Sequence, residues 1–244
     1  MNQPSITVAR PAARFADTRW TLVMAAVQGD RAVARRALLE LCMQYWYPVY
    51  TYLRHGGYAP VLAEEISIAF FEDLLHSPVL LAATPAQGRF RDFLLAALRR
   101  FLALDWREME APGKESIPLV PPDPSILEER HLREPASLQP DHAFHRGYAL
   151  DLIASAHRRL RSEAARAGRS EMFEALAPYL GADPETGRLD HVAQQLRTRP
   201  LMLLLALQRL RQRFRELVEE EIAQTVGSDG EHEHERTMLM AILH

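Results

Sequence analysis

Apolar residues recur along this chain at the three- and four-residue spacing of amphipathic helices. The clearest stripe lies between Ala32 and Leu53 and stops at the glycine pair Gly56 and Gly57. No segment shows the sustained alternation of apolar and polar residues that a half-buried strand requires. The pattern therefore predicts an all-α fold. Further helices are expected at 18–28, 60–75, 89–109, 141–167, 170–180, 189–196 and 199–223.

Proline content divides the chain into two predicted helical domains. Residues 110–140 hold seven prolines and few large apolar side chains, a composition typical of an extended, semi-rigid linker. We therefore predict a first domain at 15–110, a linker at 111–140 and a second domain at 141–225. The last segment, 226–244, carries the stretch EHEHE followed by the short apolar helix MLMAIL, and is expected to be a mobile acidic tail.

Composition narrows the possible functions. The net charge of −3 excludes a uniformly basic nucleic-acid-binding protein, although local basic faces remain possible. The single cysteine, Cys42, lies on an apolar helix face and is expected to be a buried core thiol, not part of a disulfide or zinc cluster. The chain begins without an apolar leader and has no run of about 18 apolar residues. A cytoplasmic protein without a membrane span is the expectation.

Motifs for catalysis and for cofactors are missing from the sequence. It has no phosphate-binding glycine loop, no GxSxG, no HExxH and no convincing pair of carboxylates. His142 and His145 have a spacing that fits a metal ion, but no further ligand accompanies them. We therefore expect no enzymatic activity, no cofactor and no metal site.

A short helix, a brief turn and a longer arginine-rich helix near the end of the chain are typical of a helix-turn-helix. Between residues 188 and 216, seven arginines oppose two acidic residues, a local balance of +5. Such a density of arginine suits a phosphate backbone, although an ordinary solvated helix face shows the same pattern. The candidate DNA contacts in this domain are Arg197, Arg199, Gln208, Arg209 and Arg211.

A second basic helix, at 89–107, interleaves arginines with aromatic residues. This combination suits melted or single-stranded DNA, because cations hold the phosphates while aromatic rings stack on bases. Most of the apolar residues in this helix are expected to be core, and Phe90, at the corner between loop and helix, is the best candidate for a base contact. The candidate DNA contacts here are Arg89, Phe90, Arg91, Arg99, Arg100 and Arg107.

Four long strings follow one another along the chain: TRWTLV, ALLELCMQYWYPVYTYLRHGGY, GRFRDFLLAALRRFLALDW and RLRQRFRELVEEEIAQTV. Together, over residues 15–227, they closely resemble a group of small two-domain bacterial ECF (extracytoplasmic-function) sigma factors. The resemblance implies that the first domain contacts the β′ clamp helices of core RNA polymerase and melts the −10 element. It implies that the second domain contacts the β flap and reads the −35 element of promoter DNA. Further possible partners are an anti-sigma factor and a Ser/Thr kinase.

The clamp-binding segment departs from the pattern of this group. Residues 57–71 keep the acidic pair Glu64 and Glu65, but Leu62 stands where the group has an aspartate. The charge complementarity to polymerase is therefore reduced and the surface is more apolar. The polymerase contacts that the resemblance implies are Leu62, Glu64, Glu65, Ile66, Phe70 and Phe71.

Ser67 occupies the place of the motif's threonine, within one helical turn of both glutamates. A phosphate there would add about −1.5 to −2 charge and three strong acceptors, which would compensate for the weakened acidic motif. Ser67 is therefore a candidate phosphorylation site, and a plain helix-surface hydroxyl is the alternative.

The recognition helix departs further. Arg199, Pro200 and Leu204 replace the Ser, Glu and Lys that face the major groove in this group. Residues 201–207 are apolar on every side, so we expect them to be covered by the first domain or the tail, or to bind a partner. The predicted function is a sigma factor that directs RNA polymerase to promoters. The alternative is a sigma-like regulator that binds polymerase or a partner without sequence-specific promoter reading.

Overall fold

The computed structural model describes residues 19–28, 30–76, 89–104, 119–224 and 229–243. Within these ranges the protein consists of ten α-helices and contains no strand, which confirms the all-α prediction. The helices are α1 (Arg19–Gln28), α2 (Arg31–His55), α3 (Pro60–His76), α4 (Phe90–Ala103), α5 (Pro124–Leu132), α6 (Pro140–Arg166), α7 (Ser170–Leu176), α8 (Arg188–Gln195), α9 (Pro200–Ala223) and α10 (Asp229–Leu243). None of the described helices is long and apolar enough to cross a membrane.

Local signals delimit α2, the central helix of the first half. The Asp30 carboxylate caps its first turn by accepting hydrogen bonds from the backbone N–H groups of Ala32 and Val33, each at 3.0 Å. The helix continues through Pro48 and ends before Gly57, whose φ of +88° is a conformation that glycine adopts without strain. Cys42 is buried in this helix as expected, and burial raises the pKa of its thiol to about 12.

The main hydrophobic core forms around α2. Trp46 stacks on Phe71 of α3 with ring centroids 5.0 Å apart, and Tyr45 stacks on Tyr148 of α6 at 5.4 Å. This core also includes buried residues from beyond the predicted first domain. They are Leu127, Phe144, Tyr148, Ala149, Leu152, Ile222 and Leu239. The predicted domain boundary therefore does not separate two cores, because the first half of α6 belongs to the core of the first half of the chain.

Gly147 lies at a close contact between α2 and α6. A Cβ atom on Gly147 would lie 3.0 Å from Thr51 Cγ2, 3.3 Å from Tyr47 Cδ1 and 3.4 Å from the Pro48 Cα. Because Gly147 has no side chain, α2 and α6 can come into contact at this point.

The second half of α6 forms a smaller core with α7 and α9. Its buried members are Ala156, Leu160, Ala164, Phe173 and Leu217. A third cluster joins α7, α8 and the start of α9, through Leu176, Val192, Ala193, Leu203 and Leu207. The 27-residue helix α6 therefore runs from the main core into the helices that carry the predicted helix-turn-helix.

The described part of the predicted linker, residues 119–139, differs from the expected extended tether. Asp123 accepts a hydrogen bond from Ser125 N at 2.9 Å, and Pro124 occupies the first turn, so the prolines start a helix here. The resulting α5 buries Leu127 in the main core. Its Arg130 guanidinium lies 3.5 Å from the centre of the Tyr47 ring.

Glu128 anchors α5 to α2. Its carboxylate accepts hydrogen bonds from Arg54 Nε at 2.9 Å, Arg54 Nη2 at 2.8 Å and the Tyr50 hydroxyl at 2.7 Å. The hydrogen bonds from Arg54 are the main reason that the pKa of Glu128 falls from 4.5 to about 2.

Glu128→Gln is expected to lower the free energy of unfolding at neutral pH by about 1–2 kcal/mol, because a charge-assisted network is lost at a partly exposed site. The depressed pKa means that this contribution is present above pH 4.5 and disappears as the pH falls towards 2. Urea unfolding at several pH values measures both effects. The control is Glu129→Gln, whose exposed side chain pairs with Arg133 one turn away, and equal stabilities of the two variants would contradict the assignment.

Candidate functional site

The predicted DNA contacts of the first half lie on α4, and several of them face into the protein. Phe90 is buried and its ring contacts Tyr45 edge-on at 5.4 Å. The expected base contact at Phe90 is therefore corrected, because the ring belongs to the main core. Arg91 is only 1% exposed, so it offers no surface for DNA in this conformation.

Arg91 forms a buried ion pair with Glu235 of α10. Its Nη2 donates to Glu235 Oε2 at 2.9 Å and its Nη1 donates to Oε1, while Arg89 Nε lies 2.6 Å from Oε2. The Glu235 side chain is 0% exposed. Burial acts to lower the pKa of Arg91, but the hydrogen bond to Glu235 and the nearby negative charge outweigh it and raise the pKa overall. Arg91 is thus a charged group that is already neutralised within the chain.

The C-terminal segment is a docked helix, which corrects the expected mobile tail. Leu239 is buried in the main core. Arg146 Nη1 donates to the carbonyl oxygens of Leu243 at 2.8 Å and Ile242 at 3.2 Å, and His142 Nε2 lies 3.3 Å from the latter. The Arg146 guanidinium thus satisfies the last carbonyl groups of α10, and a cation at a helix C-terminus interacts favourably with the helix dipole.

The sequence did contain a signal for this docking. Glu235, Met238, Leu239 and Ile242 follow the helical spacing of one face, and this face is the one that contacts α4 and α6. The acidic stretch EHEHE overlaps this face, and we interpreted that stretch as solvated. The partner of Glu235 lies 144 residues earlier in the chain, so no local pattern pairs the two.

The remaining cations of α4 are more accessible. Arg99 forms an ion pair with Asp141 of α6, and both side chains are about half exposed. Arg100 is exposed and makes no ion pair with another described residue. Arg107 lies outside the described residues.

The polymerase contacts implied by the resemblance lie on α3. Three of these six residues are in the main core, which corrects their expected place on a surface. These three are Ile66, Phe70 and Phe71. Ile66 and Phe70 lie four residues apart on one helix face, and Phe71 beside them stacks on Trp46 of α2. Leu62 and Glu64 are half-buried and Glu65 is exposed, so only these three remain available to a partner.

Ser67 lies on the same buried face of α3. Its side chain is 0% exposed, and its hydroxyl donates to the carbonyl oxygen of Ala63 at 2.7 Å. A kinase cannot reach this hydroxyl in the folded protein, and the core has no space for a dianionic group. The structure therefore corrects the expected phosphorylation site.

Helices α8 and α9 are joined by the turn 196–199 and pack on α7 through the third cluster. Arg197 lies in this turn and takes a φ of +50°, in the left-handed region. Four of the five DNA contacts predicted here are exposed and make no side-chain ion pair or hydrogen bond with another described residue. These four are Arg197, Arg199, Gln208 and Arg209.

Arg211 differs from those four, because it folds back onto the segment before α8. Its Nε donates to the carbonyl oxygen of Tyr179 at 2.9 Å, its Nη2 to that of Ala182 at 2.6 Å, and its Nη1 to the Asp183 carboxylate at 2.8 Å. This side chain positions a loop, and its predicted phosphate contact is not available in the structure.

The apolar start of α9 is covered on one side only. Leu203 is 0% exposed, whereas Leu201 is 65% and Leu204 is 42% exposed, with Met202 and Leu205 similarly open. From the sequence we expected the first domain or the tail to cover this apolar side of α9. Among the described residues, neither the first half of the chain nor α10 covers it. An adjacent cleft of about 450 Å³ has both apolar and basic lining residues. They include Met172, Met202, Leu205, Arg169 and Arg209.

Two neighbouring leucines test this one-sided burial. Leu203→Ala is expected to lower the free energy of unfolding by about 2–5 kcal/mol, because it opens a cavity among α7, α8 and α9. Leu204→Ala is the matched control and is expected to change it by less than about 0.5 kcal/mol. Chemical denaturation measures both, and a large loss from Leu204→Ala would mean that this side of α9 is covered.

Within the described part of the chain, no group of three or more His, Cys, Asp or Glu side chains is arranged to hold a metal ion. Comparisons with models of known protein families, with curated proteins and with solved structures find no match to this chain. The resemblance to ECF sigma factors therefore stays a prediction from the four sequence strings.

Proposed function

We propose that this protein is a sigma-type transcription factor, which binds core RNA polymerase and contacts promoter DNA through α8 and α9. The observation that carries the proposal is a set of exposed side chains on the unit α7–α9 that make no ion pair or hydrogen bond with another described residue. These are Arg197, Arg199, Gln208 and Arg209. A short helix, a tight turn and a longer helix are the arrangement that places a helix in the major groove.

The chemistry of this surface favours phosphate contacts over base reading. Arg199 is exposed and immediately precedes the first turn of α9, where its guanidinium can contact a phosphate. Leu201, Leu204 and Leu205 occupy outward positions in the first two turns, where polar side chains would read base edges. Apolar side chains there contact thymine methyl groups at most, so the proposed sequence preference is modest and the affinity depends strongly on salt.

Removing two phosphate contacts should make DNA binding less dependent on salt. For the double variant Arg199→Ala/Arg209→Ala, the slope of log affinity against log salt is expected to fall by about two units, one for each contact. Fluorescence anisotropy of a labelled duplex measures this slope. Arg158→Ala removes an exposed arginine of α6 and is the control. An unchanged slope in the double variant would show that α9 does not face DNA.

A second candidate function is a sigma-like regulator that binds a partner protein instead of reading promoters. It is favoured by the open apolar side of α9 next to Arg169 and Arg209. The partner that fits is a helix with an apolar face flanked by acidic residues. This candidate predicts binding to polymerase without initiation at any promoter.

A further inference from the structure

Helix α10 is an acidic helix, and its Glu235 contacts two arginines of α4. Its sequence contains four acidic residues, Asp229, Glu231, Glu233 and Glu235, and a single arginine, Arg236. It lies against α6 and α9, and it reaches α4 through Glu235 and Met238. Of these acidic side chains, Glu235 is the one that the described contacts place against the arginines of α4.

Two guanidinium groups of α4 converge on the Glu235 carboxylate. Arg91 binds it through both terminal nitrogens, and Arg89 Nε approaches the same carboxylate at 2.6 Å. The Tyr148 ring, 5.2 Å from the Arg91 guanidinium, supports it from beneath. Arg91 Nε donates no hydrogen bond to a described residue and lies 3.8 Å from Asp92 Oδ1. A convergent pair of arginines is the arrangement that holds a phosphate as well as a carboxylate.

We propose that Arg89 and Arg91 form an oxyanion-binding site, that Glu235 occupies it in the closed protein, and that a DNA backbone phosphate takes it when α10 leaves. The inference rests on the proposed function in one respect only, the choice of DNA as the competing polyanion.

The outer face of α4 favours DNA over an acidic protein segment. Phe93 and Arg100 lie four and eleven residues after Arg89, so the three share one side of the helix. Phe93 is half-buried with its ring stacked on Phe90, and Arg100 is exposed. Cations with an aromatic ring between them are typical of surfaces that bind single strands.

The contacts that hold α10 are few enough for a ligand to compete with them. Among its described side chains from His232 to Leu243, only Glu235 and Leu239 are buried. A buried ion pair adds little net stability, because the loss of hydration opposes the attraction between the charges. The end of the helix is held by the hydrogen bonds from Arg146 and by the packing of Leu239 and Leu243 on the main core. Release of α10 exchanges Glu235 for a phosphate and leaves both arginines paired.

The experiment uses the full chain and a short fluorescein-labelled DNA single strand as the probe. Glu235→Gln removes the internal anion, and Arg146→Ala weakens the far end of α10 without touching the oxyanion site. Hydrogen exchange of the α10 amides measures release, and anisotropy measures affinity. Both variants are expected to speed exchange in α10, to raise affinity about tenfold and to steepen the log–log salt slope by about two.

Two controls separate this effect from a general change in charge. Glu233→Gln neutralises the neighbouring exposed glutamate, which pairs with Arg236 on its own helix, and is expected to change neither readout. Addition of Arg91→Ala to either releasing variant is expected to remove most of the gained affinity.

Release of α10 without a gain in DNA affinity would overturn the proposal, as would a gain that survives Arg91→Ala. A gained affinity for polyglutamate but not for DNA would reassign the site to an acidic protein partner and also overturn it. Loss of the folded state in both releasing variants would show that α10 is not displaceable. The salt slope of Arg199→Ala/Arg209→Ala in the unreleased protein tests the proposed function separately, because those residues lie outside the α10 contact.

Discussion

Replacing Gly147 by leucine is expected to lower the free energy of unfolding by about 3 kcal/mol, because the new side chain must enter the contact between α2 and α6. The first atom of that side chain already lies 3.0 Å from Thr51 Cγ2 and 3.4 Å from the Pro48 backbone. The backbone atom cannot move aside as a flexible side chain would. Gly147→Ala is expected to be much milder, because its gain in helix propensity of about 1 kcal/mol offsets a smaller overlap.

Ala165→Leu is the matched control for this substitution. It adds a leucine to the same helix at an exposed position and is expected to change stability by less than about 0.5 kcal/mol. Urea unfolding followed by far-UV circular dichroism measures all three variants. Equal stabilities of Gly147→Leu and Ala165→Leu would mean that α6 does not approach α2 as the structure describes.

Phe144→Ala is expected to lower the free energy of unfolding by about 3–5 kcal/mol, because a fully buried ring is removed from the main core. Phe144 belongs to the predicted second domain, whereas all three tryptophans precede residue 110. A shared core therefore predicts that tryptophan fluorescence and circular dichroism shift together to a lower denaturant concentration.

Leu132→Ala controls for the loss of a large apolar side chain, since Leu132 is exposed at the end of α5. It is expected to leave the transition in place. If Phe144→Ala shifted the dichroism transition but not the fluorescence transition, the two predicted domains would unfold independently, and the shared core would be contradicted.

The helices of the fold follow from local signals in the sequence. Asp30 and Gly57 delimit α2, and the apolar spacing inside α6 and α9 predicts their ends to within a few residues. Such signals depend on neighbours within one or two turns, which is why they can be read without the structure. The exception is α5, where prolines were interpreted as linker although Asp123 and Pro124 form a helix start.

Local signals do not predict which face of a helix is exposed to solvent. Ser67 and Arg91 look like surface residues by type, yet both are buried, and Arg91 pairs with Glu235 of α10. Their burial depends on contacts between distant parts of the chain. For α9 the opposite holds, since Leu201 and Leu204 look like core and remain exposed. The helices that carry the candidate site could thus be predicted from the sequence, but which of their side chains are exposed could not.

The most direct test of the proposed function is transcription in vitro with purified core RNA polymerase and a library of randomised promoters. A sigma-type factor predicts transcripts that depend on this protein and start downstream of a shared sequence, with fewer of them when Arg199 and Arg209 are replaced by alanine. The Glu235→Gln variant, with α10 released, is assayed beside the unmodified chain. Tight binding to core polymerase by both proteins, with no transcript above that of the core enzyme alone, would contradict the sigma-factor proposal.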